Sequence, residues 1–195
     1  MGGRVGSVCV YCGSSSRVDE IYKDAARELG ATLGKRGTTV VYGGGRVGLM
    51  GIVADTALAA GGAVIGIIPE HLQRLEVEHT KLTELIVVDS MHTRKRLMVE
   101  KSDGFIVLPG GLGTLDETFE ILTWKQLRLH DRPVVIVNIE GYWNALLATV
   151  DGIIAAGFAH PQNRNLFVVA DSVAEAVAAL DREPEPAVEP ELKWL

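Results

Sequence analysis

Long apolar runs are missing from this 195-residue sequence, in which no segment approaches the roughly 18 uninterrupted apolar residues of a membrane-spanning helix. The opening Met-Gly-Gly-Arg also lacks the apolar core of a secretory signal peptide. We therefore expect a cytoplasmic protein that has no membrane partner.

Positive charge is scarce, with 19 Lys and Arg against 25 Asp and Glu and a formal net charge of -6. Proteins that bind nucleic acid usually carry a basic face that neutralises phosphates, so the balance predicts no nucleic-acid partner. A small anionic ligand needs only a local basic spot, and the densest one is Arg94-Lys95-Arg96. Three charges in a row are also typical of a solvated helix face, so the position of these residues in the fold must decide.

Cysteine and histidine, which commonly bind metals, are also few, with two cysteines and five histidines in the sequence. Cys9 and Cys12 form a single C-x-x-C with no second pair for zinc, and they lie at the end of a predicted strand instead of opening a helix as a redox motif would. The five histidines are scattered, without an H-x-x-x-H pair. We interpret the cysteines as structural thiols and expect neither a metal nor a cofactor.

What the sequence does contain is a regular alternation of Val- and Ile-rich runs with helix-length segments. Strands are predicted at residues 5–11, 38–42, 63–68, 85–88, 104–108 and 133–138. Helices are predicted at residues 20–36, 49–60, 91–101, 115–129, 142–156 and 173–180. This order predicts a doubly wound, mostly parallel α/β sheet with helices on both faces. We expect one domain over residues 1–182 and an extended tail over residues 183–195, where glutamate alternates with proline.

Three predicted strands are followed by glycine-rich loops, at residues 12–16, 43–48 and 109–114. Glycine lets backbone N–H groups approach an anion, and a helix that follows adds its positive end. Each loop alone could be an ordinary turn, but three at one sheet edge indicate one nucleotide site. The candidate contacts in these loops are Ser14, Gly44, Gly45, Gly110, Gly111, Leu112, Gly113 and Thr114.

The second loop offers a rival interpretation, because Gly43, Gly45 and Gly48 match the dinucleotide fingerprint G-x-G-x-x-G. Glu70 stands near the place where an acidic residue would hold a ribose. The fingerprint usually follows the first strand, however, and Pro69 precedes Glu70 here.

The third loop reads Pro-Gly-Gly-Leu-Gly-Thr and is followed by Leu115, Asp116 and Glu117. Thr114 and Glu117 have the spacing of a capping box, in which the glutamate would only support the start of a helix. A capping box does not require the glycines that come before it. A carboxylate beside a phosphate loop is, in contrast, a catalytic arrangement.

These motifs resemble the Lonely guy (LOG) family of cytokinin riboside 5'-monophosphate phosphoribohydrolases. The family pattern P-G-G-x-G-T-x-x-E is intact at residues 109–117, and M-x-x-R-K is intact at residues 91–95. The similarity covers residues 5–158. The resemblance implies a Rossmann-like fold, a homodimer, and hydrolysis of AMP or N6-substituted AMP to the free base and ribose 5-phosphate.

Carried over by this resemblance, Arg94 and Glu117 form the catalytic pair. Residues 111–114 form the phosphate loop, and Gly110, Leu115 and Asp116 are substrate-binding residues next to it. Further substrate contacts are Lys95, Glu76 and Thr123. Some relatives bear the label lysine decarboxylase, but the sequence shows no recognisable site for pyridoxal phosphate.

Three functional hypotheses remain at this point. The first is a nucleotide N-glycosidase, in which Glu117 stabilises an oxocarbenium-like transition state and Arg94 acts through its fixed charge. The second is an NAD(P)-dependent oxidoreductase that uses residues 43–48, and the third is a non-catalytic nucleotide carrier or sensor on the same fold. Glu117 together with Arg94 favours the first hypothesis, since a binding module needs neither.

Overall fold

The core of the molecule is a parallel sheet, which we describe from a computed structural model covering residues 5–73, 79 and 81–182. Within these residues the sheet has seven strands in the order β4-β3-β2-β1-β5-β6-β7. The strands are β1 Ser7–Tyr11, β2 Thr39–Tyr42, β3 Val64–Pro69, β4 Glu84–Val88, β5 Gly104–Val107, β6 Val134–Val137 and β7 Val168–Ala170. Every neighbouring pair is parallel.

Helices cover both faces of the sheet. They are α1 Glu20–Arg36, α2 Gly48–Ala59, the short α3 Glu70–Gln73, α4 Met91–Glu100, α5 Leu112–Gln126, α6 Asn144–Ala155 and α7 Val173–Leu180. Two 3-10 turns lie at Ile139–Gly141 and Pro161–Leu166. Apolar side chains of α1, α2 and α7 pack with one face of the sheet, and those of α4, α5 and α6 pack with the other. The predicted doubly wound, Rossmann-like α/β architecture is therefore confirmed.

The close packing of α1 on α2 depends on a glycine. A Cβ at Gly30 would lie 2.1 Å from the Thr56 hydroxyl oxygen and 2.4 Å from the Val53 carbonyl oxygen. The absence of a side chain there lets the two backbones approach each other. This contact fixes the two helices that follow β1 and β2.

Two parts of the sequence-based prediction need correction. Strand β7 was not predicted, because its three residues form too short an apolar run for a period to be visible. Helix α5 begins at Leu112 instead of residue 115, with Gly111 as its N-cap residue. The helix therefore includes Gly113, which propensity alone disfavours.

The direction of chain progression reverses between β1 and β5, which are neighbours in the sheet. Loops after these two strands leave the same edge in opposite directions and form the crevice where doubly wound proteins bind ligands. The first and third glycine-rich loops follow β1 and β5, respectively. The fold thus places both at this topological switch point.

Some predictions fall outside the described residues, namely the substrate contact Glu76 and the tail at residues 183–195. Among the helices that are described, none combines the length and apolar character needed to cross a membrane.

Candidate active site

Backbone hydrogen bonds join the three glycine-rich loops into one surface. The Leu108 N–H donates to the Tyr11 carbonyl over 2.9 Å, and the Gly13 N–H donates to the Pro109 carbonyl over 3.0 Å. The Leu49 N–H at the start of α2 donates to the Gly13 carbonyl over 2.9 Å. The first loop therefore holds the other two in register.

The N-terminus of α5 faces open space. A Cβ built at Gly111 or Gly113 would meet no atom within 4 Å, whereas one at Gly110 would lie 2.1 Å from the Thr114 hydroxyl oxygen. Thr114 is buried beneath the loop, and Leu112 is 85% exposed at its rim. Backbone N–H groups and the helix dipole make such a terminus suitable for an anion.

The capping-box interpretation of Glu117 is wrong. Because α5 begins at Leu112, Thr114 is already inside the first turn, and its carbonyl accepts from the Thr118 hydroxyl over 2.6 Å. Glu117 lies about one and a half turns into the helix, too far in to satisfy N-cap groups. A capping role therefore does not account for the carboxylate.

A cavity of about 260 Å³ opens at the switch point. Its lining consists of Gly13, Ser14, Ser15, Val18, Tyr22, Leu49, Pro109, Gly110, Gly111 and Tyr142. The predicted contacts Ser14, Gly110 and Gly111 are thus brought together. Sequence reasoning missed Tyr22 and Tyr142, which come from α1 and from the turn after β6 and carry no motif that links them to the loops.

Arg94 is buried, with 5% of its surface exposed, so the interpretation of a solvated helix face is wrong for this residue. Its Nη2 atom donates to the Gly43 carbonyl over 3.0 Å, and its Nη1 lies 3.7 Å from the Met91 sulfur. Ser90 caps the start of α4 by accepting from the Thr93 N–H over 3.2 Å. The helix start thus fixes the guanidinium against the second loop.

Arg94 and Glu117 both affect the pKa of Cys9 on β1. Burial first, and then the negative charge of the half-buried Glu117, raise the pKa of the Cys9 thiol, which Arg94 lowers to a smaller extent. Cys9 lies on the face of β1 that packs against α4 and α5. Arg94 and Glu117 therefore both influence the buried thiol of Cys9, and neither residue is part of the cavity lining.

The two cysteines remain neutral thiols. Both are free and buried, and burial followed by the charge of Glu117 raises the pKa of Cys12 as well as that of Cys9. A reactive or metal-binding cysteine requires the thiolate, which a raised pKa disfavours. Cys9 packs on one face of β1, and Cys12, just after the strand, packs in the core on the other face of the sheet.

The glycines of the second loop have packing reasons of their own. A Cβ at Gly43 would lie 1.9 Å from Arg94 Nη2, and a Cβ at Gly48, whose φ is 63°, would lie 2.3 Å from the Ser14 carbonyl carbon. Gly44 has a φ of 79° and faces Ile68 of β3. The cavity lining includes neither Gly44 nor Gly45. Two of the three glycines in the G-x-G-x-x-G match, Gly43 and Gly48, are therefore explained by close contacts with Arg94 and the first loop.

Lys95 connects α4 to α5. Its Nζ lies 3.2 Å from Asp116 Oδ2 and 3.1 Å from Glu120 Oε1. Partial burial lowers the pKa of Lys95, but the hydrogen bonds and charges of Glu120 and Asp116 outweigh it and raise the pKa overall. Thr123 is exposed near the other end of α5, away from the cavity. Lys95 and Asp116 therefore form an ion pair between α4 and α5. Thr123 does not lie near the glycine-rich loops.

Metal-binding side chains do not cluster in the described part of the chain. Across residues 5–73, 79 and 81–182, no three His, Cys, Asp or Glu side chains form a group that could hold a metal ion.

Comparison with known proteins adds relatives with named activities. The chain is 45% identical over 174 residues to "Cytokinin riboside 5'-monophosphate phosphoribohydrolase LOG1" of Arabidopsis thaliana, which covers 89% of this chain and 82% of the relative. It is 48% identical over 174 residues to "Probable cytokinin riboside 5'-monophosphate phosphoribohydrolase LOGL9" of Oryza sativa, with 89% and 77% covered.

A solved structure of the Moco carrier protein from Chlamydomonas reinhardtii has a similar fold, with a TM-score of 0.68 over 90% of this chain and 95% of that one. Its sequence identity of 23% supports the fold alone. A family profile described as "Possible lysine decarboxylase" matches residues 50–180. Taken with the curated relatives, these matches show that the chain belongs to the Lonely guy (LOG) family of cytokinin riboside 5'-monophosphate phosphoribohydrolases.

Proposed function

We propose that this protein hydrolyses the N-glycosidic bond of AMP or N6-substituted AMP and releases the free adenine base and ribose 5-phosphate. The observation that carries the proposal is the half-buried Glu117 on a helix whose N-terminus faces open space, together with the buried Arg94 held against the second glycine-rich loop. The names of the curated relatives support the same reaction.

The 5'-phosphate would bind the N–H groups of Gly111, Leu112 and Gly113, where the structure leaves open space around both glycines. Glu117 lies farther along α5, about 9 Å from Gly111 along the helix axis at 1.5 Å per residue. A ribose that extends from the phosphate can place its C1' atom near the carboxylate at this separation. This spacing supports the proposal that the nucleotide is held by its phosphate and attacked at its sugar.

Cleavage of the C1'–N9 bond leaves positive charge on the ribose ring, as in glycoside hydrolysis. The Glu117 carboxylate would stabilise this charge and accept a proton from the attacking water, whose oxygen forms the new bond to C1'. The departing base takes up a proton as it leaves, so the overall change is the addition of one water molecule. Arg94 keeps its charge in proteins and would act by orienting the substrate and Glu117.

The phosphate requirement gives a direct test of this proposal. We expect kcat/KM for adenosine to be at least about tenfold lower than for AMP, because each hydrogen bond to a charged group contributes roughly 1.5–3 kcal/mol. Chromatography of the released adenine measures both substrates. Equal values of kcat/KM would contradict the assignment of residues 111–113 to phosphate.

Chelation tests the proposed absence of a metal requirement. We expect turnover of AMP to survive exhaustive dialysis against EDTA, since a carboxylate and a guanidinium need no Lewis acid to stabilise the ribose cation. The control is the same dialysis without EDTA. Loss of activity that a divalent ion restores would require a different mechanism.

We further propose a cytoplasmic homodimer. The family resemblance supports it, and so do Phe119, Leu127 and Leu129, which are 40%, 48% and 68% exposed on and just after α5. Leu122 of the same helix is only 8% exposed and belongs to the core. Sedimentation equilibrium should give twice the chain mass, and a monomer at micromolar concentration would contradict the proposal.

A further inference from the structure

Tyr142 makes a long-range contact with the proposed phosphate loop. Its hydroxyl donates a 2.7 Å hydrogen bond to the Gly110 carbonyl, which is 32 residues away in the sequence. Tyr142 follows β6, whereas Gly110 follows β5. The segment that follows the neighbouring strand β6 therefore contributes the Tyr142 side chain to the loop that follows β5.

The turn that carries Tyr142 is strongly constrained. The Asn138 Oδ1 accepts from the Trp143 N–H over 2.7 Å, and the Asn138 Nδ2 donates to Asn144 Oδ1 over 2.9 Å. Glu140 and Gly141 both have left-handed backbone angles, with φ of 50° and 72°. A non-glycine residue such as Glu140 seldom adopts this conformation unless its surroundings enforce it.

The ring of Tyr142 is also held from two sides. It packs edge-on against Trp143 with 4.8 Å between ring centroids and against Tyr22 with 5.4 Å. Trp143 is buried, while Tyr142 is 41% exposed and lines the cavity. These contacts hold the ring while its hydroxyl donates to the Gly110 carbonyl.

The hydrogen bond fixes the orientation of one peptide unit. In a trans peptide the carbonyl of Gly110 and the N–H of Gly111 point in opposite directions. With the carbonyl turned to Tyr142, the Gly111 N–H points away from it. The preceding carbonyl, that of Pro109, is likewise engaged by the Gly13 N–H over 3.0 Å.

This hydrogen bond matters because both residues of the peptide unit, Gly110 and Gly111, are glycine. Glycine rotates easily into conformations that other residues avoid, so the Gly110–Gly111 peptide could turn over and present its carbonyl oxygen to an anion. A carbonyl oxygen repels phosphate, whereas an N–H group binds it. Glycine at these positions allows the backbone to approach the phosphate closely. Because glycine does not fix the orientation of the Gly110–Gly111 peptide, a second group must do so.

We propose that Tyr142 is a positioning residue that holds the Gly110 carbonyl away from the substrate phosphate and so keeps the Gly111 N–H available to bind it. This inference rests on the proposed function for the identity of the phosphate ester. It concerns phosphate affinity, not the bond-breaking step. Its effect should therefore appear in phosphate binding and leave kcat nearly unchanged.

The test compares Tyr142→Phe, which keeps the ring and removes only the hydroxyl, with Thr149→Val as a matched control. Thr149 on α6 also donates a side-chain hydrogen bond, of 2.8 Å to the Ala145 carbonyl, but it lies outside the cavity lining. Calorimetry would measure the affinity of the parent and both variants for ribose 5-phosphate and for adenine. Adenine release from AMP and melting temperature would be measured on the same samples.

We expect Tyr142→Phe to weaken binding of ribose 5-phosphate by about three- to tenfold, the factor that loss of one net hydrogen bond brings. Adenine affinity should stay the same, the KM for AMP should rise, and kcat should change less than twofold. Thr149→Val should leave all of these values at the parental level. If Tyr142 has a purely structural role, Tyr142→Phe would lower the melting temperature. The affinities for ribose 5-phosphate and for adenine would then change to the same extent.

Three results would overturn the inference. They are ribose 5-phosphate affinity within twofold of the parent in Tyr142→Phe, equal weakening of ribose 5-phosphate and adenine, and no binding of ribose 5-phosphate by the parent. Failure of the proposed function is a separate result, because it requires that the parent release no adenine from AMP. A parent that binds ribose 5-phosphate through Tyr142 but releases no adenine would support the inference and reject the reaction.

Discussion

Replacing Glu117 with glutamine should lower kcat for AMP hydrolysis by about 10²-fold or more, which is the usual cost of removing one preorganised electrostatic group from an active site. A neutral amide cannot balance the positive charge that develops on the ribose. It also cannot accept the proton of the attacking water. Substrate affinity should change much less than turnover, because the N–H groups of residues 111–113 are untouched.

The fold should tolerate this substitution. Glu117 lies in the second turn of α5, where glutamine and glutamate have similar helix propensities, and the helix start at Gly111 and Leu112 does not depend on it. The substitution also removes a negative charge near the buried Cys9 thiol. Because this thiol is neutral, its packing does not depend on that charge. We therefore expect a small change in melting temperature.

The matched control for this experiment is Glu120→Gln on the same helix. Glu120 is also half-buried, but it pairs with Lys95, which keeps Asp116 as a second partner. Melting temperature, AMP affinity and adenine release would be measured on the parent and both variants. Near-parental turnover in Glu117→Gln would show that the proposed mechanism is wrong.

The sequence predicted the parts of the fold that depend on local patterns. Val- and Ile-rich runs revealed six of the strands now seen, because buried parallel strands are apolar on both faces. Strand β7 and the first turn of α5 were not predicted correctly. Strand β7 is too short to show a period. The first turn of α5 contains Gly113, whose low helix propensity argues against a helix start there.

Prediction of the candidate site depended on motifs more than on local chemistry. Arg94 looked like a surface charge, and only the tertiary fold shows that its guanidinium is buried against Gly43. Tyr142 could not be found, because its contact with Gly110 requires β5 and β6 to be neighbours. Lys95 shows the reverse case, since the motif marked it as a substrate contact and the structure pairs it with α5.

Gly43 provides the second large effect that we expect. A Cβ at this position would lie 1.9 Å from Arg94 Nη2, so Gly43→Ala must displace the guanidinium from the Gly43 carbonyl. Because the obstructed atom is the far end of a flexible side chain, the backbone need not move. The protein should still fold, at a cost of roughly 1.5–3 kcal/mol for the lost hydrogen bond of a charged group, while a displaced catalytic group costs about 10²-fold in kcat/KM for a shift of roughly 1 Å.

A double-mutant cycle can show that Gly43 acts through Arg94. If its only function is to leave room for the guanidinium, then Gly43→Ala should cost nothing further in a protein that already carries Arg94→Ala. Gly152→Ala on α6 is the control, since a Cβ there meets no atom within 4 Å. The measurement is kcat/KM for AMP in the four proteins of the cycle and the control. Additive losses in the double variant would mean that the second loop contacts the substrate itself, and they would restore a direct binding role to residues 43–48.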